Sequence, residues 1–184
     1  SWEVAGSARS RRLSSSYPAP SVKDLPDTHA MDILLTTLEH SGIGRLPRAL
    51  RGAGAVRAGY ETRRQAGLMT IIAGTGRTEA EQVEAILKRE IDFAVNRGIP
   101  ADEVELAKRI LRGSFALDNE PYAGQSGTLG YYDSIDRWQF AAEYLQKVQA
   151  VTPAQVNEIA GKYLAADHSV SVLFRPRAAG PVEP

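Results

Sequence analysis

The sequence predicts an α+β fold: a mostly antiparallel sheet with its helices segregated to one face. Three observations lead there. Strand-like runs are few and fall near residue 12, between residues 56 and 75, and near residue 170. Helical periodicity of 3.6 residues fills most of the remainder. The two runs between 56 and 75 are separated only by a short polar turn, so they read as a hairpin. Along the chain the order is strand, helices, hairpin, four helices, strand.

Each element has its own signal. The opening SWEVAGSARSRRLSSSYPAPSVKDLP is rich in Ser, Arg and Pro and reads as a lead-in with one strand around Arg12 to Tyr17. Asp27 is the expected N-cap of a helix that carries Ala30, Ile33, Leu34, Thr37 and Leu38 on one face. SGIG breaks it, and RLPRALRG gives a shorter helical piece ending at Gly52. Val56 to Thr62 and Leu68 to Thr75 are the hairpin strands. Thr78 and Glu81 suit a capping box, followed by a stripe of Val83, Ile86, Leu87, Ile91, Ala94 and Val95 that Gly98 stops. Pro100, Asp102 and Glu103 start the next helix, with Val104, Ala107, Leu111 and Phe115 on its face. NEPYAGQSGTLGYYDS reads as a loop with short helical turns. Trp138 to Val148 is helical, and Thr152 with Pro153 starts a helix over TPAQVNEIAGKYL. HSVSVLFRP alternates as a strand, and the tail beyond Pro176 reads as disordered.

Composition sets the outer bounds. A chain of 184 residues suits one domain or a compact half of a larger protein. At this size roughly 70% of the unfolded surface is buried, so no covalent staple is needed. There is no cysteine, which removes disulfides, thiolate metal sites and cysteine nucleophiles. Lys plus Arg and Asp plus Glu both number 22, leaving no basic footprint for nucleic acid. No apolar run approaches the ~20 residues of a membrane span. The start at SWEV, without methionine, is expected of a fragment or a processed product. Localisation stays open, cytoplasmic or periplasmic if the source is bacterial.

Chemical motifs are sparse. AGTGRTEA follows a strand and precedes a helix, but Glu79 stands where a dinucleotide fingerprint needs Gly or Ala, so it reads as a glycine turn. His29, His40 and His168 are the only histidines. The first two lie about three turns, or ~16 Å, apart on one helix and cannot share an ion. All three read as surface or cap residues. TTLEH, residues 36–40, matches the inverted zinc motif H-x-x-E-H except that Thr36 replaces the first histidine. One imidazole and one carboxylate do not make a zinc site.

Three segments together carry a resemblance: PDTHAMDILLTTLEHSGIGRLPRALRGAGAVRAGY, AGLMTIIAGTGRTEAEQVEAILKREIDFAVNRGIPADEVELAKRILRGSF and VQAVTPAQVNEIAGKYLAADHSVSVLF. They resemble the C-terminal, non-catalytic domain of insulinase/pitrilysin-type zinc peptidases, the family of mitochondrial processing peptidase. The resemblance implies a lead-in at residues 1–16, an inactive domain at 17–176 and a flexible tail at 177–184. It further implies a duplicated architecture in which a sister domain bears H-x-x-E-H and a distant glutamate, and two halves close around a peptide. Zinc is therefore expected in a partner domain and not in this chain. The partner would be a zinc-bearing N-terminal domain or a separate peptidase subunit, and the ligand a peptide substrate. TTLEH would then be either the counterpart of the zinc helix or a chance pair.

The resemblance also nominates substrate-binding residues. Family members resemble LRE..GLAY, whose arginine and tyrosine help hold a substrate carbonyl. LRGAGAVRAGY keeps the arginine as Arg51 but is one residue short, so Arg57 falls at the tyrosine position and Tyr60 is the substitute. The function implied is a non-catalytic domain supporting proteolysis by a zinc-bearing domain elsewhere. The alternatives are a core-type structural subunit and a stand-alone module for extended peptides.

Overall fold

The computed structural model describes residues 2–6, 11–76 and 78–176. Its elements are β1 (Trp2–Gly6), β2 (Arg12–Ala19), α1 (Leu25–Glu39), α2 (Arg45–Ala49), β3 (Val56–Gly59), β4 (Gly67–Gly74), α3 (Ala80–Asn96), α4 (Ala101–Asp118), α5 (Tyr122–Ile135), α6 (Gln139–Ala150), α7 (Pro153–Tyr163) and β5 (Val170–Pro176). The strands form one sheet in the order β1-β5-β2-β4-β3. All neighbouring pairs are antiparallel except β1, which runs parallel to β5. The disordered tail expected beyond Pro176 lies outside the described residues.

Alternation explains why helices lie on one face only. On β2, Leu13, Ser15, Tyr17 and Ala19 are buried while the residues between them are not. On β4, Met69, Ile71 and Ala73 do the same, leaving Leu68 and Ile72 exposed on the other side. The register sets Leu13 opposite Ala73 on one side and Leu173 on the other, so the inward rows of neighbouring strands align. α1 runs through the middle of the helical layer against α4, α6 and α7. Its predicted face of Ala30, Ile33, Leu34, Thr37 and Leu38 is fully buried. Val83, Leu87, Ile91 and Ala94 of α3 join the same core.

Five readings of the sequence need correction. The lead-in holds two strands and not one, since β1 precedes β2 and pairs in parallel with β5. α1 starts earlier than expected, with Asp24 as N-cap residue and Pro26 in its first turn, while Asp27 accepts hydrogen bonds from Lys162 and Tyr163. The α3 cap residue is Glu79 without a side-chain cap bond, because the Thr78 N–H is taken by the Thr75 carbonyl in a turn. The stretch read as a loop after α4 contains α5, a helix with no buried residue. Its end is tied instead by polar clamps: Arg64 donates to the Ser134 carbonyl at 2.6 Å and Tyr131 to that of Thr62 at 2.5 Å. His29 is buried in α1 and not a surface residue. The α7 start is as expected, a complete capping box between Thr152 and Gln155.

Candidate functional site

The candidate site lies where the last turn of α1 meets the edge strand β3. A cavity of about 630 Å³ opens there between α1, α4, α5 and the segment after β3. A second, of about 570 Å³, lies between the end of α1, α2 and β3. Glu39 and His40 line both, so the two cavities adjoin at the end of α1. Tyr60 belongs to the first and Arg51 to the second. The structure thus sets the two predicted substrate residues on one side of the domain but in different concavities.

Arg51 follows α2 in an exposed turn. Among the described residues its guanidinium has no hydrogen bond or ion pair, although five donors are available. Tyr60 is more committed: its hydroxyl donates to the Pro20 carbonyl at 3.0 Å and accepts from Thr62 Oγ1 at 3.3 Å. Burial, ahead of any neighbouring charge, pushes its phenol well above the usual range.

At the floor of the larger cavity is a group the sequence did not single out. Asp32 projects from α1 and its Oδ2 accepts a hydrogen bond from the Tyr144 hydroxyl at 2.8 Å. Burial pushes the carboxyl up to about 7, and the Tyr144 bond pulls the other way. The Tyr132 and Tyr144 phenols are both raised, first by burial and then by the Asp32 charge. Phe115 stacks on Tyr144 with centroids 5.0 Å apart, and Tyr131 meets Tyr132 edge-on at 5.4 Å. Glu39 and Asp118 add two more carboxyls to the wall, and Glu61 a third that Arg63 already pairs at 2.6 Å. No lysine or arginine lines this cavity among the described residues. It is an acidic cavity with a tyrosine wall. The available clue was the run HAMDILL, where a carboxylate interrupts an apolar helix face.

The donor set at TTLEH does not fit zinc. Thr36 Oγ1 donates back to the Asp32 carbonyl at 2.8 Å within α1, and His40 Nδ1 accepts from the Gly42 N–H at 3.3 Å. Among the described residues no three metal-ligating side chains converge. The chemistry available is binding: carboxylates, phenols, the guanidinium groups of Arg51 and Arg57, neither of them bonded among the described residues, and the adjoining strand edge.

A family model described as the peptidase M16 inactive domain matches residues 5–111. The chain belongs to this family. The inactive peptidase domain that the resemblance implied is the family the chain belongs to, and the α+β fold agrees with solved structures. The inactive peptidase domain of a candidate zinc protease from Bordetella parapertussis superposes with a TM-score of 0.82 at 16% identity, covering 94% of this chain and 95% of that one. A protease from Helicobacter pylori gives 0.86 at 18% identity, over 95% of this chain and 43% of the other. A peptidase M16 inactive domain from Pseudomonas fluorescens gives 0.74 at 23% identity, over 99% and 44%. The chain thus spans less than half the length of the latter two. A comparison with curated proteins gave no match. No helix among the described residues is long and apolar enough to cross a membrane.

Proposed function

We propose that this M16 inactive domain forms one wall of a peptide-binding chamber and supports proteolysis by a zinc-bearing H-x-x-E-H domain, upstream in the same gene product or on a separate subunit. The observation that carries this reading is the open edge of β3 beside the two cavities. Among the described residues β3 pairs only with β4 and ends the sheet. Because the Gly74 N–H donates to the Ala55 carbonyl at 2.8 Å, the ladder bonds fall on Ala55, Arg57 and Gly59. Val56 and Ala58 therefore turn their N–H and C=O groups outward, and an extended peptide can add as a further strand. Side chains of that peptide next to the acidic cavity would be basic, while Arg51 receives a carbonyl or carboxylate oxygen. The zinc domain supplies the activated water, and this chain supplies position and charge.

Two variants test the reading. Ala58→Pro removes one outward N–H without breaking a ladder bond, since proline is tolerated on sheet edges. Labelled extended peptides with basic residues should lose most of their affinity for this variant while its melting temperature stays close to that of the wild type. Arg51→Ala, joined to the zinc-bearing partner, should lower peptide turnover with stability unchanged. Peptide affinity and turnover both equal to wild type would overturn the proposal.

A further inference from the structure

The acidic cavity ends on a carboxyl that is only half engaged. Tyr144 donates to Asp32 Oδ2 at 2.8 Å. Asp32 Oδ1 has no hydrogen-bond partner among the described residues and is not sealed from solvent, so it opens into the cavity. The Tyr132 hydroxyl is likewise unbonded and open to the same space. Phe115, stacked on Tyr144, and the Tyr131–Tyr132 pair stand around them. At about 630 Å³ the cavity has room for a whole extended side chain, since about 150 Å³ already holds a benzene ring.

These groups favour a cation on an apolar stem, and an ammonium over a guanidinium. Carboxyl and phenol oxygens and ring faces all attract positive charge, and the rings cover the methylenes that carry it. A guanidinium presents a planar fork that matches both oxygens of one carboxylate. Tyr144 already occupies Oδ2, so Asp32 offers a single oxygen. An ammonium is a point charge with three rotatable donors: one meets Oδ1, and the others stay free for a phenol oxygen or water. Of the other groups in the cavity, Tyr60, Tyr131, Tyr132 and Tyr144 are phenols pushed up by burial, which keeps them neutral. Glu39 and Asp118 are carboxyls without an ion-pair partner among the described residues, Glu61 is paired by Arg63, and His40 adds an imidazole at the end of α1.

We infer that this cavity is a lysine pocket in which Asp32 Oδ1 pairs with the ammonium, and that the Asp32 carboxyl gives up its proton to solvent as the lysine enters. The ammonium keeps its three protons, so one proton per site passes from carboxyl to water and the bound pair is neutral. Burial holds the carboxyl of the empty cavity at about 7, and a cation beside it favours the ionised form instead. Binding draws on the ionised fraction, about a tenth of the molecules at pH 6 and about nine-tenths at pH 8. Affinity therefore rises with pH across that interval. The inference rests on the peptide-chamber reading for the source of the lysine, an extended peptide beside β3, and adds the residue that selects it.

Acetyl-lysine amide, acetyl-arginine amide and acetyl-norleucine amide, titrated calorimetrically into the whole chain, separate charge from shape. At pH 8 the lysine probe should bind saturably and the norleucine probe about tenfold more weakly, the factor a charged hydrogen bond supplies. The arginine probe should bind about fivefold more weakly than lysine, as one net hydrogen bond is lost. At pH 6 the lysine probe should lose about tenfold in affinity, and at pH 7 buffers of different ionisation heat should register about half a proton released per site. Asp32→Asn keeps an acceptor for Tyr144 and should abolish the advantage of lysine over norleucine, while His40→Gln should leave the pH dependence in place. Tyr144→Phe frees Oδ2 and should bring arginine level with lysine, which covers the case in which the Asp32 variant does not fold. Equal binding of the lysine and norleucine probes, no proton release, or an undiminished lysine preference in Asp32→Asn would each overturn the inference. Failure of the peptide-chamber reading looks different: the lysine probe still binds through Asp32, which upholds the pocket, while Ala58→Pro leaves longer peptides unaffected. Longer peptides weakened by Ala58→Pro but indifferent to exchange of their lysine for norleucine would sink the pocket alone.

Discussion

Asp32 makes the stability of this domain depend on pH in an unusual direction. Most buried carboxylates are ionised and paired, so their proteins weaken as pH falls. Asp32 has instead a tyrosine hydroxyl as its partner and a carboxyl pushed from 3.8 up to about 7. Below 3.8 it is protonated in the folded and the unfolded chain alike and contributes no difference. Between there and about 7 the unfolded chain releases the proton and the folded chain keeps it, so stability falls as pH rises. Above about 7 the full cost is in place, and the displacement corresponds to about 4 kcal/mol. Asp32→Asn keeps an oxygen to accept from Tyr144 and does not titrate. Urea unfolding of both proteins at pH 4, 5.5 and 8 isolates this group, because every other titrating residue is common to the two. The advantage of the variant should grow across that range by up to about 4 kcal/mol. Parallel curves for the two proteins would refute the assignment of a burial-raised carboxyl at the cavity floor.

Two glycines should respond in opposite ways to alanine. Gly98 has φ of 78° and an added Cβ would lie 2.7 Å from Asn157 Nδ2, so Gly98→Ala should lower stability by about 1–2 kcal/mol in thermal unfolding. Gly161 lies inside α7 with open space around it, and Gly161→Ala should raise stability by up to about 1 kcal/mol in the same measurement.

The parts of the fold that could be read from residues are those where the local signal and the tertiary demand coincide. The hairpin and the α3 stripe are of this kind, since the buried side chains that mark each element are the ones the core uses, while the exposed Thr152 cap is legible because its bonds to Gln155 are local. α5 is the opposite case. Gly124, Gly127 and Gly130 weaken its helical signal, and it buries no side chain that would leave an apolar stripe. Arg64 and Tyr131, reaching between the β3–β4 loop and this helix, hold it in place, and such clamps leave no periodic trace. β1 was unreadable for a related reason: five residues pair in parallel with a strand at the far end of the chain. At the candidate site, Arg51 and Tyr60 came from resemblance to a motif. Asp32 and its tyrosines come from four different elements or segments and meet only in the folded state, so no spacing announces them.

The central position of β2 has a consequence for how the chain is made. Ser15 and Ser171, 156 residues apart, share a hydrogen bond across the β2–β5 pair. Ribosomes deliver roughly 5–20 residues per second, so β2 emerges about ten to thirty seconds before the strand it must hold. During that interval Leu13 and Tyr17 have β4 and the early helices for company, but one flank of the strand stays unpaired. Nascent chains of this domain therefore present a sticky, half-built sheet to any chaperone or sister chain near the exit tunnel. Synthesis speed over the helical stretch between residues 80 and 163 sets how long that exposure lasts.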